Sequence, residues 1–231
     1  MVVVITGASK GIGRAVAERF AAAGHTLFLC ARNIEHLQSV AADITAAYNQ
    51  CTVYIKGVDI SLKEDVITFG NYILQVAGAP VVVVNNAAYF ANSSIHNEED
   101  YLLDKMMATN LTGAYHLTRT LLPAMMAQKN GHVFNVCSVA SMQGSTNGGS
   151  YSVSKFALAG FTKNLREEMK PHNIKVTGVY PGSTYTDSWH GSGVNPESLI
   201  QPKDIAELIY TAANLSPQAC VEDIVVRPLN F

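Results

Sequence analysis

Thr6-Gly7-Ala8-Ser9-Lys10-Gly11-Ile12-Gly13 decides the reading of this chain. The stretch follows an apolar run, residues 2–5, and opens a helical pattern that continues to Ala23. Strand, glycine turn and helix in that order can hold a pyrophosphate against the positive end of a helix. Glycines let the backbone turn sharply and approach a phosphate with no Cβ in the way. The spacing is Gly-x3-Gly-x-Gly rather than Gly-x-Gly-x-x-Gly. Taken alone it is equally readable as a turn that closes a strand onto a helix, so the rest of the chain must decide.

Working outward, short apolar runs alternate with longer amphipathic stretches. The runs are residues 2–5, 26–30, 52–58, 81–85, 132–137, 175–179 and 219–226. They are rich in Val and Ile and often nearly continuous, as parallel strands are when covered on both faces. Helix-like stretches lie near 11–23, 34–49, 62–78, 97–129, 150–170 and 203–214. Ala15, Val16, Arg19, Phe20 and Ala23 give the first of these its i, i+3/4 stripe. Gly24 sits where a helix C-cap belongs. This alternation from end to end predicts an α/β fold: a single-domain, Rossmann-like, doubly wound parallel sheet with helices on both faces, spanning 1–231. Two irregular stretches, 143–150 and 182–202, are expected at the carboxyl ends of strands, where ligands bind.

Composition narrows the class. A chain of 231 residues fits one such domain and can bury roughly 70% of its unfolded surface. The net charge is −2 and 15% of residues are charged, with no extended basic run, which argues against nucleic acid as a partner. No apolar run approaches the ~20 residues of a membrane span, and the N-terminus lacks the basic region of a signal peptide. Cys30, Cys51, Cys137 and Cys220 are scattered without metal-ligand spacing. Cys30, Cys51 and Cys220 sit in or beside apolar runs and read as buried free thiols. A reducing, cytoplasmic compartment is the expectation. The seven histidines show no metal-ligand pairing, so no metal is expected.

Chemistry concentrates in the second half. Tyr151-Ser152-Val153-Ser154-Lys155 sets Tyr and Lys at i, i+4, on one helical face. An ammonium near a phenol favours the phenolate and lowers its pKa, so Tyr151 can exchange a proton near neutral pH. The bland alternative is a solvated Tyr/Lys face. Ser138 closes an apolar run thirteen residues before Tyr151, and its hydroxyl can hydrogen-bond a carbonyl oxygen. Asn85-Asn86-Ala87-Ala88 closes another run at the same sheet edge. Asn110 and Gly113 interrupt the long helical stretch, and neither favours a helix interior. They read as a packing accident or as a bend that binds water. Pro181-Gly182 closes the sixth run.

In this order the motifs resemble the short-chain dehydrogenase/reductase family over essentially the whole chain. The resemblance implies that Gly7, Gly11 and Gly13, with Ser9, Lys10 and Ile12, form a cofactor phosphate turn. It implies that Asn86 and Ala87 lie beside the cofactor ribose and that Pro181, Gly182 and Thr186 border the nicotinamide. Asn110, Ser138, Tyr151 and Lys155 match the family's catalytic residues, with Tyr151 and Lys155 also touching cofactor. Ala88 stands where the family usually has Gly. Its methyl is harmless at negative φ and crowds the cofactor otherwise.

Charge bears on which cofactor. NAD enzymes of this fold place an acid about 20 residues past the glycines, on the ribose 2′-OH. Here Arg32 occupies that place, and Lys10 lies in the turn; two cations suit a 2′-phosphate, which favours NADP(H) over NAD(H). Glu35 is an alternative partner for Arg32. Asp59 is expected to accept a bond from the adenine amine, or else to serve as a strand-end turn residue. The expected activity is reduction of a ketone or aldehyde on a small molecule, with a 3-oxoacyl group among the candidates. The alternatives are an alcohol or 3-hydroxy acid dehydrogenase and a non-catalytic dinucleotide sensor. A carrier-linked substrate needs a basic patch, for which Arg119, Lys129, Lys163, Arg166, Lys170 and Lys175 are the candidates. The resemblance also implies a homotetramer or homodimer packed through helices near 97–129 and 150–170. Trp189-His190 is a candidate substrate lid or a plain surface loop.

Overall fold

A computed structural model describes residues 1–144, 146–189, 191 and 193–229. Seven parallel strands form one sheet in the order β3-β2-β1-β4-β5-β6-β7. They are β1 (Val2–Thr6), β2 (Thr26–Ala31), β3 (Thr52–Gly57), β4 (Val82–Asn85), β5 (Gly131–Val136), β6 (Ile174–Pro181) and β7 (Asp223–Val226). The strands are parallel because each connection carries the chain back over a face of the sheet, mostly as a helix. Those helices are α1 (Gly11–Ala21), α2 (Ile34–Ala47), α3 (Lys63–Ala77), α4 (Leu102–Met107), α5 (Gly113–Gln128), α6 (Gly149–Met169) and α7 (Pro202–Ala213).

The two-faced burial predicted from the Val/Ile runs is what places the core. Alternate residues of β1 point to opposite sides. Val3 and Ile5 pack with Phe20 of α1, Leu37 of α2 and Ile209 of α7. Val4 packs with Phe69 of α3, Leu121 of α5 and Leu165 of α6. Each such side chain, fully buried, stabilises the fold by about 1.5–3 kcal/mol. Local chemistry sets the helix starts. Asn33 caps α2 by accepting the His36 N–H at 2.9 Å. Pro202 opens α7, followed by Asp204 in its first turn.

Three expectations are corrected. The stretch 97–129 is not one helix: it begins at Leu102 and is broken by a π turn, Ala108–Thr112, between α4 and α5. The last strand begins at Asp223 rather than 219, because its paired register with β6 starts there, with Gly178 opposite Asp223. Cys30, Cys51 and Cys137 are buried, but Cys220 is exposed. Among the described residues no helix is long and apolar enough to cross a membrane, and no cluster suited to a metal ion occurs.

The sheet reverses its strand order between β1 and β4. In open α/β sheets a ligand crevice lies outside the carboxyl ends of the strands at such a switch point. Thr6 ends β1 there and Asn85 ends β4.

Candidate active site

The glycine turn crosses the switch point between β1 and α1. Asn86 binds it in place: its Nδ2 donates to the carbonyls of Thr6 at 2.9 Å and Gly7 at 3.1 Å. The Thr6 hydroxyl oxygen accepts the backbone N–H groups of Asn86 and Ala87, each at 3.0 Å. Gly13 is required by this closure. A Cβ there would stand 2.3 Å from the Gly7 carbonyl oxygen and 2.4 Å from Asn86 Nδ2. Asn86 therefore shapes the turn as well as bordering the crevice. Lys10 occupies the N-cap position of α1 and makes no side-chain cap bond, and α1 has no acid in its first turn. The first N–H groups of α1 are thus left to an anion, as a cofactor pyrophosphate requires.

Thr186 reaches this turn from beyond β6. A Cβ on Gly11 would lie 3.0 Å from the Thr186 methyl. Lys10 is ion-paired with Asp187 at 2.9 Å, both half-exposed. The segment after Pro181 and Gly182 therefore folds down over the phosphate turn, with the Gly182 N–H held by the Val226 carbonyl at 2.7 Å. His190, half of the proposed lid pair, lies outside the described residues. Ser9 and Ile12 are half-buried within the turn.

Arg32 stands exposed just past β2 and makes no ion pair with Glu35 among the described residues. Asp59 Oδ1 accepts the Ser61 N–H at 3.0 Å and the Ser61 hydroxyl at 2.6 Å. These bonds hold its carboxyl below the usual range, with smaller help from Arg32 and Lys105. Asp59 is thus a turn residue that keeps Oδ2 for another donor. Ala88 is not strained: the non-glycine residues with positive φ among those described are Lys129 and Asn173. The methyl in place of the usual glycine is tolerated.

Ser138, Tyr151 and Lys155 meet at the carboxyl end of β5. Ser138 follows the strand and caps a short turn, its Oγ accepting the Ala140 N–H at 3.1 Å. That leaves its proton to donate, and the side chain acts on the nearby Tyr151 phenol, drawing its pKa down. Tyr151 lies one helical turn before Lys155 on α6, with the Lys155 Nζ 5.9 Å from its ring centroid. Lys155 is buried and donates to the Val136 carbonyl at 2.8 Å. Burial pulls its pKa down to about 8. Burial also raises the Tyr151 pKa, and Ser138 offsets only part of that rise. The expected depression of the phenol by Lys155 is therefore not a property of the protein alone. The ammonium is turned toward the strand, and desolvation of the phenolate is the larger effect. Cys137, beside Ser138, faces the packed side against Leu158 and Ala159, and burial raises its thiol to about 11.

Asn110 sits in the middle of the π turn and is buried. Its Oδ1 accepts the Tyr89 N–H at 2.7 Å, while its Nδ2 donates to the Tyr89 carbonyl at 3.0 Å and to Ser154 Oγ at 2.9 Å. Both Nδ2 protons are used, while Oδ1 keeps a lone pair for another donor. π turns recur at functional sites because they displace the backbone ladder by one residue.

Two residues adjoin this group that the sequence reading passed over. Phe90 stands edge-on to the Tyr151 ring at 4.9 Å, and Ser154 returns a 2.7 Å bond to the Tyr151 carbonyl. Ser154 lies three residues past Tyr151, a spacing that does mark it. Phe90 carries no signal beyond lying five residues past the β4 strand end.

Comparison with known proteins gives the family. A family model described as short chain dehydrogenase matches residues 1–195. An uncharacterized oxidoreductase of Staphylococcus aureus strain USA300 is 30% identical over 228 residues, covering 99% of this chain and 97% of its own. The crystal structure of a metagenomic short-chain oxidoreductase in complex with NADP is 32% identical, with a TM-score of 0.84, covering 99% of this chain and 96% of that one. A β-ketoacyl-[ACP] reductase from Bacteroides thetaiotaomicron is 34% identical, with a TM-score of 0.85 and the same coverage.

Proposed function

This chain belongs to the short chain dehydrogenase family of NAD(P)-dependent oxidoreductases, and we propose that it uses NADPH to reduce the carbonyl of a small ketone or aldehyde to an alcohol. The observation that carries this reading is Tyr151 set one helical turn from a buried Lys155, whose ammonium is anchored to Val136 on the strand that leads to Ser138.

A nicotinamide dinucleotide seated on the Gly7–Gly13 turn would supply or accept hydride. The chain's own groups do the rest. Tyr151, whose raised pKa keeps it protonated, gives its proton to the carbonyl oxygen as charge develops there. Ser138 aims a second hydrogen bond at that oxygen; loss of one such donor costs ~10²–10³ in rate. Lys155 supplies positive charge beside the phenolate left behind. Asn110 fixes the approach of the 88–90 segment to α6 and would hold a water that passes protons to Lys155. Proton transfer with Tyr151 in the reverse sense serves alcohol oxidation, so direction follows cofactor supply.

NADP(H) is favoured because Arg32 stands where an acid would read a ribose 2′-OH, and no acid follows it before Glu35. Lys10 joins it once released from Asp187. A metagenomic short-chain oxidoreductase at 32% identity, solved in complex with NADP, supports the same choice.

The substrate reading leans toward a free small molecule. Of the six cations named for an acidic carrier protein, four make bonds within the chain, Arg119 to the Tyr115 hydroxyl at 3.2 Å. Arg166 is buried and bonds the Val176 carbonyl and Asp223. Lys170 pairs with Glu167, and Lys175 donates to the Ser216 carbonyl. The likeness to a β-ketoacyl-[ACP] reductase keeps 3-oxoacyl groups in the panel. Exposed Tyr115 on α5 and Val153 and Phe156 on α6 fit a homotetramer or homodimer built through those helices. Three buried free thiols fit a cytoplasmic setting.

The test is oxidation of NADPH and NADH at 340 nm against small ketones, 3-oxo esters, quinones and a carrier-linked 3-oxoacyl substrate. Turnover of a free carbonyl with NADPH preferred supports the reading. NADPH binding without turnover on any of them argues for the sensor alternative.

A further inference from the structure

α6 carries Tyr151 and Lys155, yet it begins without a cap of its own. Gly148 makes no side-chain cap bond, and the first turn contains no acid. The missing acceptor comes from a distant segment. Glu98 Oε2 accepts the Ser150 N–H at 3.1 Å and the Ser93 hydroxyl at 2.8 Å, and its Oε1 accepts the Ser150 hydroxyl. A carboxylate receiving a first-turn N–H of a helix is both a charge-assisted acceptor and a match for the positive helix end. Gly149 makes room for it. Its φ is +44°, and a Cβ there would stand 2.6 Å from Ser93 Oγ and 2.8 Å from Glu98 Oε2.

The other end of the same segment is tied to α6 as well. Asn110 joins Tyr89 to Ser154, and the Phe90 ring meets Tyr151 edge-on at 4.9 Å. Residues 89–98 thus hold the turn that contains Tyr151 from both sides: Glu98 on Ser150 before it, Asn110 on Ser154 after it. Each of these bonds alone is ordinary. Together they leave the Tyr151 turn no freedom to slide along β5 and Ser138.

We propose that Glu98 is a positioning residue for Tyr151: it supplies the N-cap that α6 lacks and so fixes the phenol against Ser138. The inference rests on the reading of Tyr151 as the proton donor. A misplacement of about 1 Å in a reacting group can cost ~10² in rate, so the carboxylate acts on turnover without touching substrate or cofactor.

The experiment uses the full chain with Glu98→Ala and Glu98→Gln. Amide hydrogen exchange is followed in peptides covering residues 149–155, and kcat is normalised to NADPH-binding sites. For Glu98→Ala we expect exchange in the first turn of α6 to quicken and kcat to fall by at least tenfold, on the order set by such misplacement. NADPH affinity and carbonyl KM should stay within about threefold, well under the tenfold that 1.4 kcal/mol represents. Glu98→Gln keeps one oxygen for the Ser150 N–H and should recover part of kcat. Wild-type kcat in Glu98→Ala, or loss of kcat only in proportion to loss of NADPH sites, overturns the proposal. A wild-type protein silent on every carbonyl overturns the reductase reading instead. In that case exchange decides Glu98: faster exchange confined to the α6 start supports the cap, and unchanged protection overturns it.

Discussion

Lys155 gives its buried ammonium hydrogen bond to the carbonyl of Val136, 2.8 Å away, on the strand that runs into Ser138. The cation is therefore anchored by the same strand that delivers the second hydroxyl of the site. Its pKa, pulled down to about 8 by burial, lies close to working pH. Below that value the site holds a positive charge beside Tyr151, and above it the charge is lost. Reduction should be flat at lower pH and decline as pH rises through about 8. Lys155→Arg keeps its charge throughout this range. Whatever activity it retains should show a limb displaced upward. A pH–kcat profile of both proteins checks this, and an unmoved limb assigns the titration to another group.

Arg32 projects into solvent past β2, and Asn33 beside it is committed to capping α2. Arg32→Asp replaces a cation by the acid that an NAD enzyme carries there. NADPH affinity should drop at least tenfold, about 1.4 kcal/mol, while NADH affinity holds or improves. Titration of intrinsic fluorescence with each cofactor measures both. Equal losses for the two would remove Arg32 from 2′-phosphate recognition.

His132 sets an acid limit on stability. The Thr177 hydroxyl donates to the Val221 carbonyl at 2.5 Å, so it accepts from His132 Nε2 at 2.7 Å. Nδ1 is left buried without a partner. Protonating it would bury a charge against Phe134, and the pKa is lowered to about 3. The folded pKa thus lies below the unfolded value, so between the two the unfolded chain binds the extra proton. Stability from this group is full above about 6.5 and is lost as pH falls toward 3. The whole loss is roughly 5 kcal/mol at 1.36 kcal/mol per pKa unit. Urea melts at pH 4 and pH 7 should show a smaller pH dependence in His132→Gln than in the wild type.

The strands were legible because parallel strands buried on both faces leave nearly continuous Val/Ile runs, as in Val2–Thr6 and Val82–Asn85. The glycine turn, Ser138, Tyr151 and Lys155 were legible because each sits at a strand end or a helical spacing that sequence records. Asn110 was marked as a poor helix residue, but not as the centre of a π turn, since its two partners, Tyr89 and Ser154, lie 21 and 44 residues away. Glu98 was invisible for the same reason. Its acceptor role depends on Ser150, 52 residues on, and on a carboxylate brought over a glycine by the fold. The pairing of Lys10 with Asp187 likewise follows from where the segment after β6 comes to rest. Local patterns report elements and their ends; contacts across the crevice appear only once the chain is folded.

Tyr151→Phe tests the central claim most directly. The substitution removes one hydroxyl and leaves the ring against Phe90, so the fold and the glycine turn should be undisturbed. NADPH binding by calorimetry and carbonyl-dependent NADPH oxidation at 340 nm would be measured side by side on both proteins. The account predicts unchanged NADPH affinity with turnover reduced by at least 10²–10³, the order expected for a lost transition-state donor. Retention of most of the turnover with intact NADPH binding would contradict it and assign the proton to another group.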